Sequence, residues 1–165
     1  MIVLGIDPGM AETGYGVIAI EGSRMRAVDH GVLATSAQDP AATRLAAIHD
    51  RVADLVARHA PESAALEDLY VGANPRTILS VGQARGAVLA ACGAAGVEAA
   101  GYPPAEVKKA VCGFGRADKG QMMRMVSAIL GLDAAPATDH AADALAVAVC
   151  HATRSRVTPR QAVAR

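Results

Sequence analysis

The chain opens on a short apolar run, Ile2-Val3-Leu4-Gly5-Ile6, which ends in a carboxylate, Asp7, followed at once by Pro8-Gly9. A second β-forming run, Val17 to Ile20, follows Thr13-Gly14-Tyr15-Gly16, so the two runs read as a hairpin with an acid at its turn. Residues 25–35 read as a third strand after a turn at Gly22-Ser23. The period then changes. Pro40 introduces a helix over residues 41–59, with Leu45, Ile48, Val52, Leu55 and Val56 on its apolar face. Ser63 to Leu66 is a short apolar strand running into Glu67-Asp68, and a loop with Gly72, Asn74 and Pro75 follows. A second helix is expected over 76–95, where Thr77, Ser80 and several glycines would permit close packing. Residues 97–102 read as a strand stopped by Pro103-Pro104, and a helix begins near Ala105. Gly113-Phe114-Gly115 interrupts that helix, and residues 119–130 form another, with Met122, Met125, Val126, Ile129 and Leu130 expected inward. Pro136-Ala137-Thr138-Asp139 signals the start of a final helix over 140–153.

Three strands, a helix, a strand, a helix, a strand and further helices predict an α/β fold. An antiparallel meander would join parallel strands to form one mixed β-sheet flanked by helices. The 165 residues fit one domain, expected over 1–154, with a basic flexible tail over 155–165.

Composition sharpens this only in places. The chain is 52% hydrophobic but 2% aromatic, so the core is built from Ala, Val, Leu and Ile, and an aromatic residue on a loop invites a question. Formal net charge is zero, yet residues 108–124 carry five basic residues (Lys108, Lys109, Arg116, Lys119 and Arg124) against one acid, Asp118. Residues 144–165 carry no acid at all. Local basic patches on a neutral protein suit a phosphate-rich ligand, although they are also common as solvated faces. Three cysteines without CxxC spacing point to free thiols in a reducing compartment. The N-terminus lacks the features of a secretory signal, and the Ala- and Gly-rich stretch at 86–101 carries Glu98 and is too short to span a bilayer. A cytoplasmic protein without a membrane segment is expected.

The carboxylates carry the chemistry. If the strands ending in Asp7 and Glu67 are parallel neighbours, both acids emerge at one sheet edge. His140 and Asp143, three apart, share a face of the last helix, as do Asp139 and Asp143, four apart. Asp143 lies among Ala141, Ala142, Ala144 and Leu145, where an unpaired charge is costly. Asp139 reads equally as an N-cap and His140 as a first-turn surface residue. A dense oxygen-rich cluster suits Mg²⁺ or Mn²⁺, and two such ions ~4 Å apart can activate water against a phosphodiester.

GIDPG and TGYGV near the start, the strand-end Glu67, VGQARGAV at 81–88 and DHAADALAVAVCH at 139–151 together resemble the RuvC family of bacterial Holliday-junction resolvases. The likeness runs over almost the whole chain, in order and spacing. It implies a ribonuclease H-like fold, a homodimer and Mg²⁺-dependent, symmetric nicking of four-way DNA junctions, with two ions per site expected and Mn²⁺ able to substitute. It also implies partnership with the RuvA-RuvB branch-migration complex. Carried over by position, the metal-binding catalytic residues are Asp7, Glu67, His140 and Asp143. Family members hold Asp or His at the place of His140, and Asp139 is not the motif position. Lys108 and Lys119 match junction-binding lysines, Tyr70 matches an aromatic wedged into the junction centre, and Arg76 and Arg85 lie near enough to Glu67 to touch phosphates. Arg85 reads equally as a packing residue.

Three other readings compete. The Asp-x-Gly hairpin superficially matches nucleotide-binding folds of the actin and sugar-kinase type, but one lobe of 165 residues is too short for those and leaves Glu67 and Asp143 unexplained. A junction-binding module without chemistry would lack an acid, and none is missing. A ribonuclease H-like nuclease for another branched or RNA-containing substrate is the nearer alternative.

Overall fold

The computed structural model describes residues 1–68 and 74–157. Tyr70, expected to touch DNA, and residues 158–165 of the expected tail lie outside the described residues. Five strands form one sheet in the order β3-β2-β1-β4-β5, from β1 (Ile2–Asp7), β2 (Glu12–Glu21), β3 (Arg24–Ala34), β4 (Ser63–Glu67) and β5 (Ala99–Tyr102). β1 pairs antiparallel with β2 and parallel with β4, and β4 pairs parallel with β5. The helices are α1 (Ala41–His59), α2 (Pro75–Ala94), α3 (Pro104–Cys112), α4 (Lys119–Leu130) and α5 (Asp139–Val157). The mixed sheet between two helical layers is the architecture read from the strand and helix order.

Strand alternation decides where each side chain goes. On β1, Leu4 and Ile6 enter one core with the apolar stripe of α1 (Ile48, Val52, Leu55 and Val56) and with Ala84, Val88 and Cys92 of α2. Val3 enters the opposite core, under α3, α4 and α5. Gly5 and Asp7 therefore share the α5 face. On β4, Ala64 and Leu66 face α1 and α2, while Ala65 and so Glu67 face α5. The two strand-end acids thus lie side by side on one face: the β1–β4 register pairs Ile6 with Leu66, and the next step brings Asp7 beside Glu67.

α5 is the central helix. Residues 141–150 are buried apart from Asp143, because the sheet lies below the helix and α3 and α4 cover it. A helix apolar all round belongs in such a place. It also comes unusually near the sheet. A Cβ at Gly5 would collide with the carbonyl of Ala144, and one at Gly14 with the carbonyl of His140. Glycine at these positions is a condition of the helix lying where it does.

Several expectations are corrected. The cap of α5 is Thr138, whose Oγ1 accepts from the Ala141 amide at 3.2 Å, and not Asp139. The helix continues to Val157, beyond the boundary expected at residue 153. Met125 points outward with 40% of its surface exposed, since Met122, Val126 and Leu130 already fill the inward face of α4. Close packing does not explain Gly86 or Gly93 of α2, where an added side chain would face open space, and Thr77 is exposed. Met1, Leu79 and Leu89 are exposed as well, and no helix among the described residues is long and apolar enough to cross a membrane.

Gly5→Ala tests the docking of α5. The added methyl meets backbone that cannot rotate away, so the variant is expected to lose ~1–3 kcal/mol or more, the range of overpacked cores. Thermal unfolding should show a midpoint lower by ~2–4 °C per kcal/mol. A wild-type midpoint would mean the helix–sheet spacing is slack.

Candidate active site

The loop after β1 is tied down before any acid is placed. Thr13, the one buried polar residue among the described residues, donates from Oγ1 to the Gly9 carbonyl at 2.7 Å, and its oxygen accepts from the Gly9 amide at 3.4 Å. This closes the Pro8–Ala11 turn and holds Asp7 at the end of its strand. On β4, Arg85 of α2 donates to the Glu67 carbonyl at 2.7 Å and to Asp68 Oδ1 at 2.9 Å. Arg85 is not a cap within its own stretch of α2: it reaches across to the end of β4. Its guanidinium anchors the strand end that carries Glu67, and it is one-fifth exposed.

The first turn of α5 brings the other two groups. His140 Nδ1 lies 2.7 Å from Asp7 Oδ2, across 133 residues of chain, and its Nε2 lies 3.6 Å from Glu12 Oε2. One helical turn further, Asp143 faces the same acids. Their proximity is written in the titration. Glu67 is pushed up to about 7, first by burial and then by the charges of Asp143 and Asp7. Asp143 is pushed up to about 6 by burial and by Asp7, with Lys119 pulling the other way. His140 is raised chiefly by its bond to Asp7, against the opposing effect of burial. Two acids resisting ionisation side by side is a mark of functional sites and of cation sites in particular.

Among the described residues no three His, Cys, Asp or Glu side chains close into a finished ion-binding group. The site is an open cluster in which one Asp7 oxygen is taken by His140. The donor set nevertheless fits a hard divalent cation: three carboxylates and an imidazole converge, and the like charges that hold Glu67 and Asp143 partly protonated are what a cation relieves.

Glu67 and Pro104 sit between two clefts. One is lined by Lys108, Lys119, Met122, Asp139 and Asp143. The other is lined by Asp7, Pro8, Gly9, Thr77, Ile78 and His140. Lys108 and Lys119 thus flank the acids. Arg76 stands exposed on the first turn of α2, where Asn74 Oδ1 caps its amide at 2.9 Å, and it lines neither cleft. Asp139 pairs with Lys119 Nζ at 2.8 Å, and this contact holds its carboxyl below the usual range. It lines the lysine cleft and does not reach Asp7.

The sequence reading missed Glu12 and the Lys119–Asp139 pair. Glu12 could have been found from the hairpin register: Asp7 pairs with Gly14, so Glu12 lies two residues beyond on the neighbouring strand. The Lys119–Asp139 contact joins two helices and has no local signal.

The stability contributed by Glu67 and Asp143 without metal should fall as pH rises. Glu67 and Asp143 titrate above their ordinary values in the folded chain, so the stability they contribute is complete at low pH and is lost as pH climbs to about 7. His140, raised as well, acts in the same direction at the upper end. Glu67→Gln should therefore be more stable than the parent at pH 8, with the gap closing by pH 4.5. Melting curves in EDTA across that range measure it, and a gap independent of pH would contradict the buried, like-charged placement of Glu67.

Against known proteins, a family model described as crossover junction endodeoxyribonuclease RuvC matches residues 3–151. The RuvC of Moorella thermoacetica is 48% identical over 153 residues, 93% of this chain and 92% of its own. That of Thermomicrobium roseum is 48% identical over 156 residues, 94% of this chain and 95% of its own. The fold superposes on Thermus thermophilus RuvC in complex with a Holliday junction substrate with a TM-score of 0.92 at 42% identity, covering 95% of this chain and 96% of that one. The sheet and its flanking helices are thus the ribonuclease H-like fold, and a family match over nearly all of the described residues with two relatives at close to half identity leaves one assignment: this chain belongs to the RuvC family of crossover junction endodeoxyribonucleases.

Proposed function

We propose that this protein is a structure-specific endonuclease that resolves four-way DNA junctions by metal-dependent phosphodiester hydrolysis, nicking two strands symmetrically as a homodimer. The observation that carries this reading is the meeting of Asp7, Glu67 and Asp143 with His140 on one face of the sheet, with Lys108 and Lys119 beside them. Asp7, Glu67, His140 and Asp143 would hold divalent ions. When bound, Mg²⁺ supplies a nucleophilic water at neutral pH and charge for the leaving oxygen. Two ions per site and tolerance of Mn²⁺ are part of the proposal, as is cooperation with the RuvA-RuvB branch-migration complex in the cytoplasm. The nuclease unit is proposed to run through α5, with a basic tail beyond it.

The chain's own groups do the rest. Lys108 and Lys119 attract the phosphate backbone into the cleft without reading sequence. Arg76, exposed on α2, would hold a phosphate farther out. Tyr70, three residues after Glu67, would stack on an unpaired base at the junction centre. His140 would ligate through an unprotonated ring nitrogen, so cation binding would compete with protonation of the ring. The fixed ends of β1 and β4 keep Asp7 and Glu67 in place while the substrate moves.

Incubation with a synthetic mobile four-way junction and Mg²⁺, with products mapped on a sequencing gel, tests the activity. Asp7→Asn, Glu67→Gln and Asp143→Asn should each reduce cleavage by a factor of 100 or more, on the order of the loss of a metal site's charge stabilisation, while gel-shift affinity in EDTA stays near the parent's. Cleavage at the parental rate by any one of them would break the constellation.

His140 has its own signature. His140→Asp should stay active and His140→Ala should fail. Cleavage by the parent should weaken as pH drops through the histidine range, with Mn²⁺ at least as effective as Mg²⁺ because the imidazole nitrogen is a softer donor. Rates for the three proteins in both metals from pH 6 to 8.5 decide it. Activity in His140→Ala would remove that residue from the site.

A further inference from the structure

Phe114 is the chain's single phenylalanine, and the fold holds it out of the core. Val111 at the end of α3 and Ala117 just before α4 are both buried, which pins the intervening loop at each end. Gly113 stops α3 in the left-handed conformation (φ 84°), and the capping box between Asp118 and Gln121 fixes the start of α4. Phe114, between these anchors, is half exposed and belongs to neither core cluster. Beside it, Met125 is also exposed, and the two line a shallow groove with Cys112, Gln121 and Arg124. About half of each side chain is left in water, apolar surface that a ligand could cover.

The surroundings choose the ligand. The groove lies on the face of α4 opposite the one that lines the catalytic cleft: Lys119, Met122 and Met123 face the cleft, and Gln121, Arg124 and Met125 face the groove. The two adjoin where Cys112 of the groove lies 3.5 Å from Met122 of the cleft. Lys109, Arg116 and Arg124 of this segment make no ion pair among the described residues, and Asp118, its acid, spends its carboxylate on the capping box. An apolar ring amid unpaired cations suits a polyanion with flat apolar faces, as nucleic acids are. A protein partner with an acidic, apolar face is the competing occupant, and the adjacency to the catalytic cleft across the Cys112–Met122 contact favours DNA.

We infer that Phe114, supported by Met125 and flanked by Arg116 and Arg124, is a second DNA-contacting site that grips the strand leaving the catalytic cleft, the ring lying against a base or sugar face. The inference rests on the junction-binding reading of the cleft.

Fluorescence anisotropy of a labelled four-way junction, in EDTA and over a salt series, tests it. Phe114→Ala should weaken binding roughly five- to a hundredfold, the range of one lost aromatic–base contact, without changing the slope of log affinity against log salt. Phe114→Tyr should restore affinity. Arg124→Ala should lower the slope by ~1, the mark of a lost phosphate contact. The exposed position predicts an unchanged melting temperature for Phe114→Ala. Parental affinity in Phe114→Ala, with the parent binding normally, would overturn the second site alone. A parent that fails to bind junctions would overturn the reading beneath it. A change in oligomeric state on sedimentation, without a change in affinity, would assign the patch to a protein contact and overturn the inference too.

Discussion

Everything at the active site depends on how close α5 lies to the sheet. Asp7 and Glu67 sit at strand ends, where alternation alone puts them on one face. The groups that complete the cluster come from a helix, and an ordinary helix–sheet spacing of ~10 Å, as between packed layers, would hold a short Asp143 or the ring of His140 too far away. Gly5 and Gly14 remove the side chains that would otherwise set that spacing, and the carbonyls of Ala144 and His140 settle into the vacated space. The approach also explains the composition of α5. A helix with its backbone against the sheet has room only for small residues on that face, and Ala144 and Ala148 provide it.

The cost of this arrangement is electrostatic. α5 is buried on nearly all sides, so Asp143 enters a poorly solvated space that already holds two carboxylates. Burial and mutual repulsion raise Glu67 and Asp143 together, which means the folded chain prefers them partly protonated at neutral pH. The fold tolerates this because its stabilising contacts lie elsewhere, in the two aliphatic cores above and below the sheet. Anchors of a different kind hold the acids in place: the Thr13 clamp on the Gly9 turn and the Arg85 guanidinium on the Glu67 carbonyl. Neither anchor neutralises a cluster carboxylate directly, so the charge remains available to a cation.

Much of this was legible from the chain, and the reasons it was legible differ. Strand alternation with a terminal acid marks Asp7 and Glu67, because a period of two fixes which face each residue takes. The all-apolar stretch around Asp143 marks that residue, since nothing local could solvate it. Helix boundaries were readable to within a few residues wherever Pro, Gly or a capping residue punctuates them. Inter-element partners were not. Arg85 could be a phosphate contact or an anchor until the α2–β4 distance is known, and Lys119–Asp139 joins two helices by a contact no local pattern encodes. The cap of α5 was misassigned by one residue because Thr138 and Asp139 are both good caps, and only the Thr138–Ala141 bond distinguishes them. Met125 was assigned inward on helical spacing, but spacing cannot say that three other residues already fill the face.

The residue at position 140 follows from the same electrostatics. A fourth carboxylate on the first turn of α5 would press against Asp7 and push the neighbouring acids up further. The imidazole does the reverse: its Nδ1 bonds to Asp7, and its Nε2 turns toward Glu12, so in its protonated form it offsets negative charge from both sides. Histidine therefore lets this position carry a counter-charge when protonated, where an acid could not. An acid there would attract a cation more strongly and leave the empty site less stable. Which of the two a chain carries is then a choice between holding metal tightly and keeping the fold intact without it. Were His140 the ligand proposed above, that choice would be coupled to pH, because a proton and an ion would compete for the same side chain.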